Sequence, residues 1–146
     1  MNKFLFYLLS FTWGLPMTLI GLIAALILTV LGYKPTKYGC CLHFQVGNSW
    51  GGVSLGVVFI TDKTTSDHTK NHEHGHSIQG CYWGPLMPFV ICIPSAMRYW
   101  FRNWYRKYLI RHNKPLSGKL PDYDSIWFEK QATKLGTEFI TKLGEK

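Results

Sequence analysis

Three residues within one five-residue stretch have the types and spacing for metal chemistry: His72, Glu73 and His76, in the pattern His-Glu-x-x-His. On a helix, residues four positions apart lie on the same face, so the two imidazoles can bind one metal ion together. Glu73 directly follows the first histidine, where it can take a proton from a water molecule that the metal polarises. The pattern therefore predicts a zinc site with Glu73 as its general base.

A zinc site of this kind needs a third ligand, because catalytic zinc keeps three protein ligands and one open position. Upstream, His68 lies on the same helical face, but three ligands along one straight helix cannot converge on a tetrahedral ion. Downstream, Glu129 lies in an apolar helical pattern, and we expect this acid to complete the site. Asp122 and Asp124 belong to a loop and are more typical of caps for the following helix.

The histidine-rich stretch also has interpretations without catalysis. His72, His74 and His76 alternate along the chain, so a strand or a loop can present all three on one side. A solvated helix face or an accidental match explains the pattern equally well. Glu129 has a corresponding alternative, a solvated carboxylate that pairs with Lys130 or Lys134.

The composition restricts the class of protein. The chain has 146 residues, enough for one domain, of which 47% are hydrophobic and only 16% charged, with a formal net charge of +8. A soluble globular chain carries about 25% charged residues, so the deficit argues against an ordinary cytosolic enzyme, and the hydrophobicity excludes disorder. The positive charge suits an anionic partner, either a membrane surface or nucleic acid. The cysteines fit neither a zinc-finger nor a disulfide scaffold, and we expect free thiols at positions 40, 41, 81 and 92.

The N-terminal stretch over residues 4–32 is apolar, carries no charge and is flanked by lysines. About 20 apolar residues suffice to cross a bilayer, so the sequence predicts an N-terminal transmembrane helix, with residues 1–37 as a membrane anchor. Gly14 and Pro16 interrupt it, which leaves three forms open: a short interfacial helix before a span, one kinked span, or a re-entrant hairpin. Because most Lys and Arg follow this stretch, the positive-inside rule places the rest of the chain on the cytoplasmic side.

The remainder of the chain, residues 38–146, is expected to form a zincin-like metal-binding domain at the membrane surface. Turn residues separate two short β patterns, which favours a short β-hairpin or a small sheet. With the helices, this predicts an α+β fold. The predicted strands are residues 41–46 and 53–60, and the predicted helices are the His-Glu-x-x-His helix from about 65 to 82, an aromatic-basic helix over 98–110 and a C-terminal helix from about 125.

Residues 98–111 alternate aromatic with basic side chains. Such a stretch can bind nucleic acid, with phosphates on Arg and bases stacked on Trp or Tyr, or it can lie among lipid headgroups as an interfacial helix. The apolar stretch at the other end of the chain favours the lipid bilayer as the partner over nucleic acid. Residues 86–97 are apolar but contain two prolines, and they either dip into the bilayer or cover the protein core.

The combination of His-Glu-x-x-His with a later helical Glu129-x-x-Ala132 resembles the gluzincin metallopeptidases. The resemblance implies that His72, His76 and Glu129 bind Zn²⁺, that Glu73 is the general base, and that the substrate is a peptide or protein.

The gluzincin pattern usually has an aspartate where this chain has Thr133, and that aspartate orients a ligand histidine. We therefore expect Gln79 or a backbone carbonyl to take over this role. In zincins an edge strand lies along the cleft and pairs with the substrate, a role expected here for residues 53–60, with a plain core strand as the alternative. An oxyanion donor is also needed, for which Tyr123 and His112 are downstream candidates.

Residues 50–56, 72–79 and 84–85 also look like a group of small bacterial membrane proteins of unassigned function, a resemblance that names no substrate. The sequence thus predicts a membrane-associated zinc-dependent hydrolase, and among hydrolases it favours a metallopeptidase. The alternative is a non-catalytic membrane protein whose metal site is structural or vestigial and which acts as an interaction partner.

Overall fold

A computed structural model describes residues 1–115 and 125–144 of the chain as an α+β fold. The described residues form five α-helices and a four-stranded mixed sheet, and a 3₁₀ turn followed by a π-helical turn leads from the third helix into the fourth. The helices are α1 (Lys3–Phe11), α2 (Leu15–Val30), α3 (Asp67–Trp83), α4 (Ile93–Arg111) and α5 (Trp127–Leu143), the turns are Gly84–Leu86 and Pro88–Cys92, and the strands are β1 (Thr36–Tyr38), β2 (Cys41–Gln45), β3 (Gly52–Leu55) and β4 (Val58–Thr61).

The predicted N-terminal transmembrane helix is wrong. The apolar stretch forms two helices, α1 and α2, which meet at 92°, and within the described residues no single helix is both long and apolar enough to cross a bilayer. The corner follows Gly14 and Pro16, where proline fits the first turn of α2 because its missing N–H has no helical partner there. Thr18 closes the corner by donating a hydrogen bond to the Ser10 carbonyl at 2.9 Å. Phe6 is fully buried in the core, so α1 packs against the rest of the protein.

Of the two expected forms, a short hairpin or a small sheet, the structure has the small sheet, but the second β pattern is not a single strand. The second pattern, residues 53–60, folds back on itself: β3 and β4 pair antiparallel across a two-residue turn that begins at Gly56, whose φ of 66° favours glycine. β4 then pairs parallel with β2, which gives the strand order β1-β2-β4-β3. Consequently β4 is an inner strand with Val58 and Phe59 buried, and β3 is an edge strand.

The predicted positions of the last three helices, α3, α4 and α5, are confirmed, although their ends are shifted by up to a few residues. Ser66 caps α3 by accepting a hydrogen bond from the Thr69 N–H at 3.3 Å. Residues 86–97 were expected either to dip into a bilayer or to cover the protein core. One side of this segment covers the core, because Met87 and Ile91 are buried together with Met17 of α2.

Helices α3 and α5 pack with their backbones in contact. A Cβ atom at Gly75 would overlap the carbonyl oxygen of Ala132, and one at Gly136 would overlap the carbonyl oxygen of Asn71. The two glycines therefore allow a closer approach than any other residue would permit at these positions.

We expect Gly75→Ala to destabilise the protein by about 1–3 kcal/mol, because its methyl group meets rigid backbone rather than a movable side chain. Gly80→Ala, on the same helix but with open space around the new Cβ, should instead stabilise it by about 0.5–1 kcal/mol. Urea unfolding followed by circular dichroism measures both. Equal stability of the two variants would contradict the close packing of α3 on α5.

Candidate metal centre

The structure brings His72, His76 and Glu129 together. The histidines lie one turn apart on α3, and Glu129 comes from the first turn of α5. The two Nε2 atoms are 3.1 Å apart, and Glu129 Oε2 lies 3.0 Å from His72 Nε2 and 3.2 Å from His76 Nε2. Ligands at about 2.1 Å from a tetrahedral or octahedral ion are separated by about 3.0–3.4 Å, so this buried triangle can hold a metal ion.

The hydrogen bonds of Gln79 fix the tautomer of His76. Gln79 Nε2 donates to the Phe128 carbonyl at 2.8 Å and to Gln131 Oε1 at 2.9 Å, so the amide oxygen is the atom that faces His76 Nδ1, at 2.8 Å. An amide oxygen only accepts hydrogen bonds, so Nδ1 carries the proton. The neutral imidazole therefore presents the lone pair of Nε2 to the centre of the triangle.

Thr133 has the same effect on His72. Its Oγ1 donates to the Glu129 carbonyl at 3.3 Å and lies 2.8 Å from His72 Nδ1, so it accepts the Nδ1 proton. Thr133 thus makes the contact for which the gluzincin pattern has an aspartate. Both imidazoles are oriented as metal ligands, and their donor atoms fit a divalent cation.

The electrostatics of the triangle favour an ionised Glu129. Burial raises the pKa of Glu129, but the adjoining imidazoles of His72 and His76 lower it more, to well below the usual range. Its place in the first turn of α5 adds the favourable end of the helix dipole. Burial lowers the pKa of His76, yet Glu129 and Glu73 together raise it above its ordinary value. A positive charge is therefore stabilised at the centre of the triangle.

Glu73 lies beside this triangle and against the edge strand. Its side chain is 6% exposed and packs on Gly52 of β3, where a Cβ would come within 2.6 Å of Glu73 Oε1. Burial raises the pKa of Glu73, although His76 and His72 act in the opposite direction. A carboxylate with a raised pKa is a stronger base than an ordinary one and is suited to accept a proton.

A cavity of about 530 Å³ opens beside Glu73. β3, α3, the π-helical turn and α4 form its walls, and His72 and His76 reach it from α3. Most other side chains that line it are apolar, among them Val53, Met87, Ile91, Cys92 and Ala96. The cavity can thus accommodate a ligand next to the triangle and Glu73.

The edge strand β3 borders this cavity. The Asp62 N–H donates to the Gly51 carbonyl at 3.0 Å, and the register pairs Val53 with Ile60, so Gly52 and Ser54 direct their backbone groups away from β4. Residues 53–60 were predicted to pair with a substrate, and of these β3 forms the edge strand beside the cavity, whereas β4 lies inside the sheet.

Of the two predicted oxyanion donors, only His112 is among the described residues, and it does not line the cavity. His112 follows the end of α4, where its ring packs on Tyr108 at 4.5 Å, away from the residues that line the cavity. Tyr123, like the predicted capping residues Asp122 and Asp124, lies outside the described residues.

Two residues of the cavity wall were not assigned a role from the sequence. Tyr99 donates a hydrogen bond to the Trp50 carbonyl at 3.4 Å, and His68 faces the cavity without being part of the triangle. No sequence pattern points to Tyr99. The place of Thr133 on the same helix face as Glu129, by contrast, could be predicted from the sequence, since it follows Glu129 by one helical turn.

Comparison of the chain with family models, curated proteins and solved structures gives no match. The fold and the site together define an α+β protein with a buried site of two histidines and one carboxylate that can hold a metal ion.

We expect Thr133→Val to lower metal affinity about 10- to 100-fold, because His72 loses the acceptor that fixes its tautomer. Thr137→Val, one turn further along α5 and exposed, is the matched control and should bind as the wild type does. Competition with a chromophoric chelator measures both affinities. An unchanged affinity in Thr133→Val would show that Thr133 does not orient the ligand.

Proposed function

We propose that this protein is a zinc-dependent hydrolase of peptide bonds, with His72, His76 and Glu129 as the zinc ligands and Glu73 as the general base. The observation that carries the proposal is the convergence of two Nε2 lone pairs and one carboxylate oxygen within 3.2 Å of one another. Both Nδ1 atoms are already engaged by Gln79 and Thr133, so the lone pairs remain available for a cation.

Zinc is favoured by the chemistry of the neighbouring groups. Two imidazoles and a carboxylate are also the donor set of non-haem Fe(II) oxygenases, which activate oxygen and need no carboxylate base. Here Glu73 lies directly beside the triangle, which is the arrangement that hydrolysis requires.

An open coordination position supports catalysis over the structural alternative. Structural zinc sites are closed by four protein ligands, whereas catalytic sites have three. The metal-binding group found among residues 1–115 and 125–144 contains three residues, and it borders the cavity. A substrate can therefore reach the ion.

Bound zinc would supply Lewis-acid polarisation of the attacking water and of the substrate carbonyl. The Glu73 carboxylate accepts the proton of that water as its oxygen forms a bond to the carbonyl carbon. Glu73 then delivers the proton to the amide nitrogen as the C–N bond breaks, which releases an amine and a carboxylic acid. The raised pKa of Glu73 suits both transfers.

The edge strand β3 can align an extended substrate along the cavity. An extended peptide can pair with the backbone groups of Gly52 and Ser54 by strand addition. Because Glu73 packs on Gly52, a peptide bound there passes close to the general base.

We expect Glu73→Gln to retain zinc but to hydrolyse peptides about 10²- to 10⁴-fold more slowly, because the amide cannot accept the proton. Glu129→Ala should lose both zinc and activity. A library of quenched fluorescent peptides measures turnover, and atomic absorption measures zinc in the same preparations.

Glu138→Gln is the control, since Glu138 is an exposed carboxylate on α5 that pairs with Lys134 at 3.9 Å. It should change neither zinc content nor turnover. Undiminished hydrolysis by Glu73→Gln would rule out the assigned base, and a zinc-binding wild type that cleaves no peptide in the library would favour the structural alternative.

A further inference from the structure

The outer side of α4 presents a stripe of large apolar and aromatic side chains. Its members recur every three or four residues and thus share one helix face. Trp100 is 67% exposed and Trp104 63%, although both are large enough to dominate a buried contact. We call these residues the docking stripe: Ile93, Met97, Trp100, Trp104 and Tyr108.

The polarity of the docking stripe changes along the helix axis. Its first members are aliphatic, its middle is formed by the two tryptophans, and Lys107 and Arg111 lie at its far end on the same side. No acidic residue occurs in α4. This order matches the depth profile of a membrane leaflet, in which aliphatic chains lie innermost, Trp and Tyr lie at the headgroup level, and Lys and Arg contact anionic phosphates.

The length of the stripe matches one leaflet. From residue 93 to residue 104 the helix rises about 16 Å, which is about half of the 30 Å hydrocarbon core of a bilayer. The π-helical turn before α4 continues the apolar end, since Phe89 is 68% exposed.

The docking stripe lies beside the cavity. Ala96 and Tyr99 line the cavity from the neighbouring face of the same helix, and Cys92 lines it from the π-helical turn. In addition, Met17 of α2 packs against Met87 and Ile91, which anchors this segment to the protein core. The helix therefore has one face for the cavity and another for an external partner.

We propose that the docking stripe and Phe89 insert into one leaflet of an anionic membrane, with Lys107 and Arg111 at the lipid phosphates. Charge complementarity selects this occupant over a second copy of the chain. An antiparallel dimer would bury these two cations against the aliphatic end of its partner, and a parallel one would set them against identical charges. Membrane binding by the docking stripe is a separate property that does not depend on the proposed hydrolysis. It would bring the cavity close to the lipid surface.

Co-sedimentation of the full chain with vesicles tests the proposal. We expect binding to vesicles that contain phosphatidylglycerol, weaker binding to phosphatidylcholine alone, and weakening by salt. Replacing both Lys107 and Arg111 with alanine should lower partition into the anionic vesicles about 25-fold, since each contributes about fivefold. The control replaces Lys63 and Lys142, which are exposed elsewhere, and should change partition far less.

The aromatic part has its own test. In wild-type protein, lipids brominated on their acyl chains should quench part of the tryptophan fluorescence. Trp100→Ser combined with Trp104→Ser should abolish that quenching and reduce binding to both kinds of vesicle. Trp127→Ser, which removes a tryptophan that is 54% exposed on α5, should retain both. Circular dichroism verifies that each variant is folded.

Three results would overturn the proposal. The first is unchanged vesicle binding by the variant that lacks Lys107 and Arg111, and the second is an equal loss of vesicle binding in the stripe variants and in their controls. The third is a stable dimer that binds no vesicles. Glu73→Gln should bind vesicles as the wild type does, so a failed hydrolase assay and a failed membrane assay remain distinguishable.

Discussion

The backbone contact between α3 and α5 is the constraint on which the site depends. Gly75 faces the Ala132 carbonyl and Gly136 faces the Asn71 carbonyl with no side chain between them. Only at this separation does Glu129, from the first turn of α5, lie within 3.2 Å of the imidazoles on α3. The candidate metal centre is therefore a property of helix packing, to which each helix contributes only part of the His72, His76 and Glu129 triangle.

The same contact creates an electrostatic cost. It buries a carboxylate and two histidines, whose lone pairs point at one another, and burying such groups without a counter-charge is unfavourable. Gln79 and Thr133 fix the imidazole protons on the outer nitrogen atoms, and the N-terminus of α5 favours the Glu129 anion. A divalent cation would offset the remaining repulsion, so metal binding and the stability of the α3–α5 pair are coupled.

Much of the site could be predicted from the sequence, because its main signals are local. The spacing of His72 and His76 fixes their shared helix face, and the helical pattern around Glu129 distinguishes it from the loop acids. Gln79 could be expected to orient a ligand histidine, since it follows His76 by three residues on the same helix, whereas the contact of Thr133 with His72 depends on how two distant helices are aligned. The expected small sheet is present, but residues 53–60, one apolar run in the sequence, divide at Gly56 between two strands, β3 and β4. The transmembrane helix failed because hydropathy measures composition: Gly14 and Pro16 indicate a break, but the 92° bend and the burial of Phe6 depend on tertiary contacts.

X-ray absorption at the zinc K-edge of the purified protein tests the central claim most directly. The account predicts a shell of nitrogen and oxygen atoms at about 2.0–2.1 Å, with the outer-shell scattering of two imidazole rings. A sulfur shell at about 2.3 Å would assign zinc to the cysteines instead. That result, or a spectrum without imidazole scattering, would contradict a centre built from His72, His76 and Glu129.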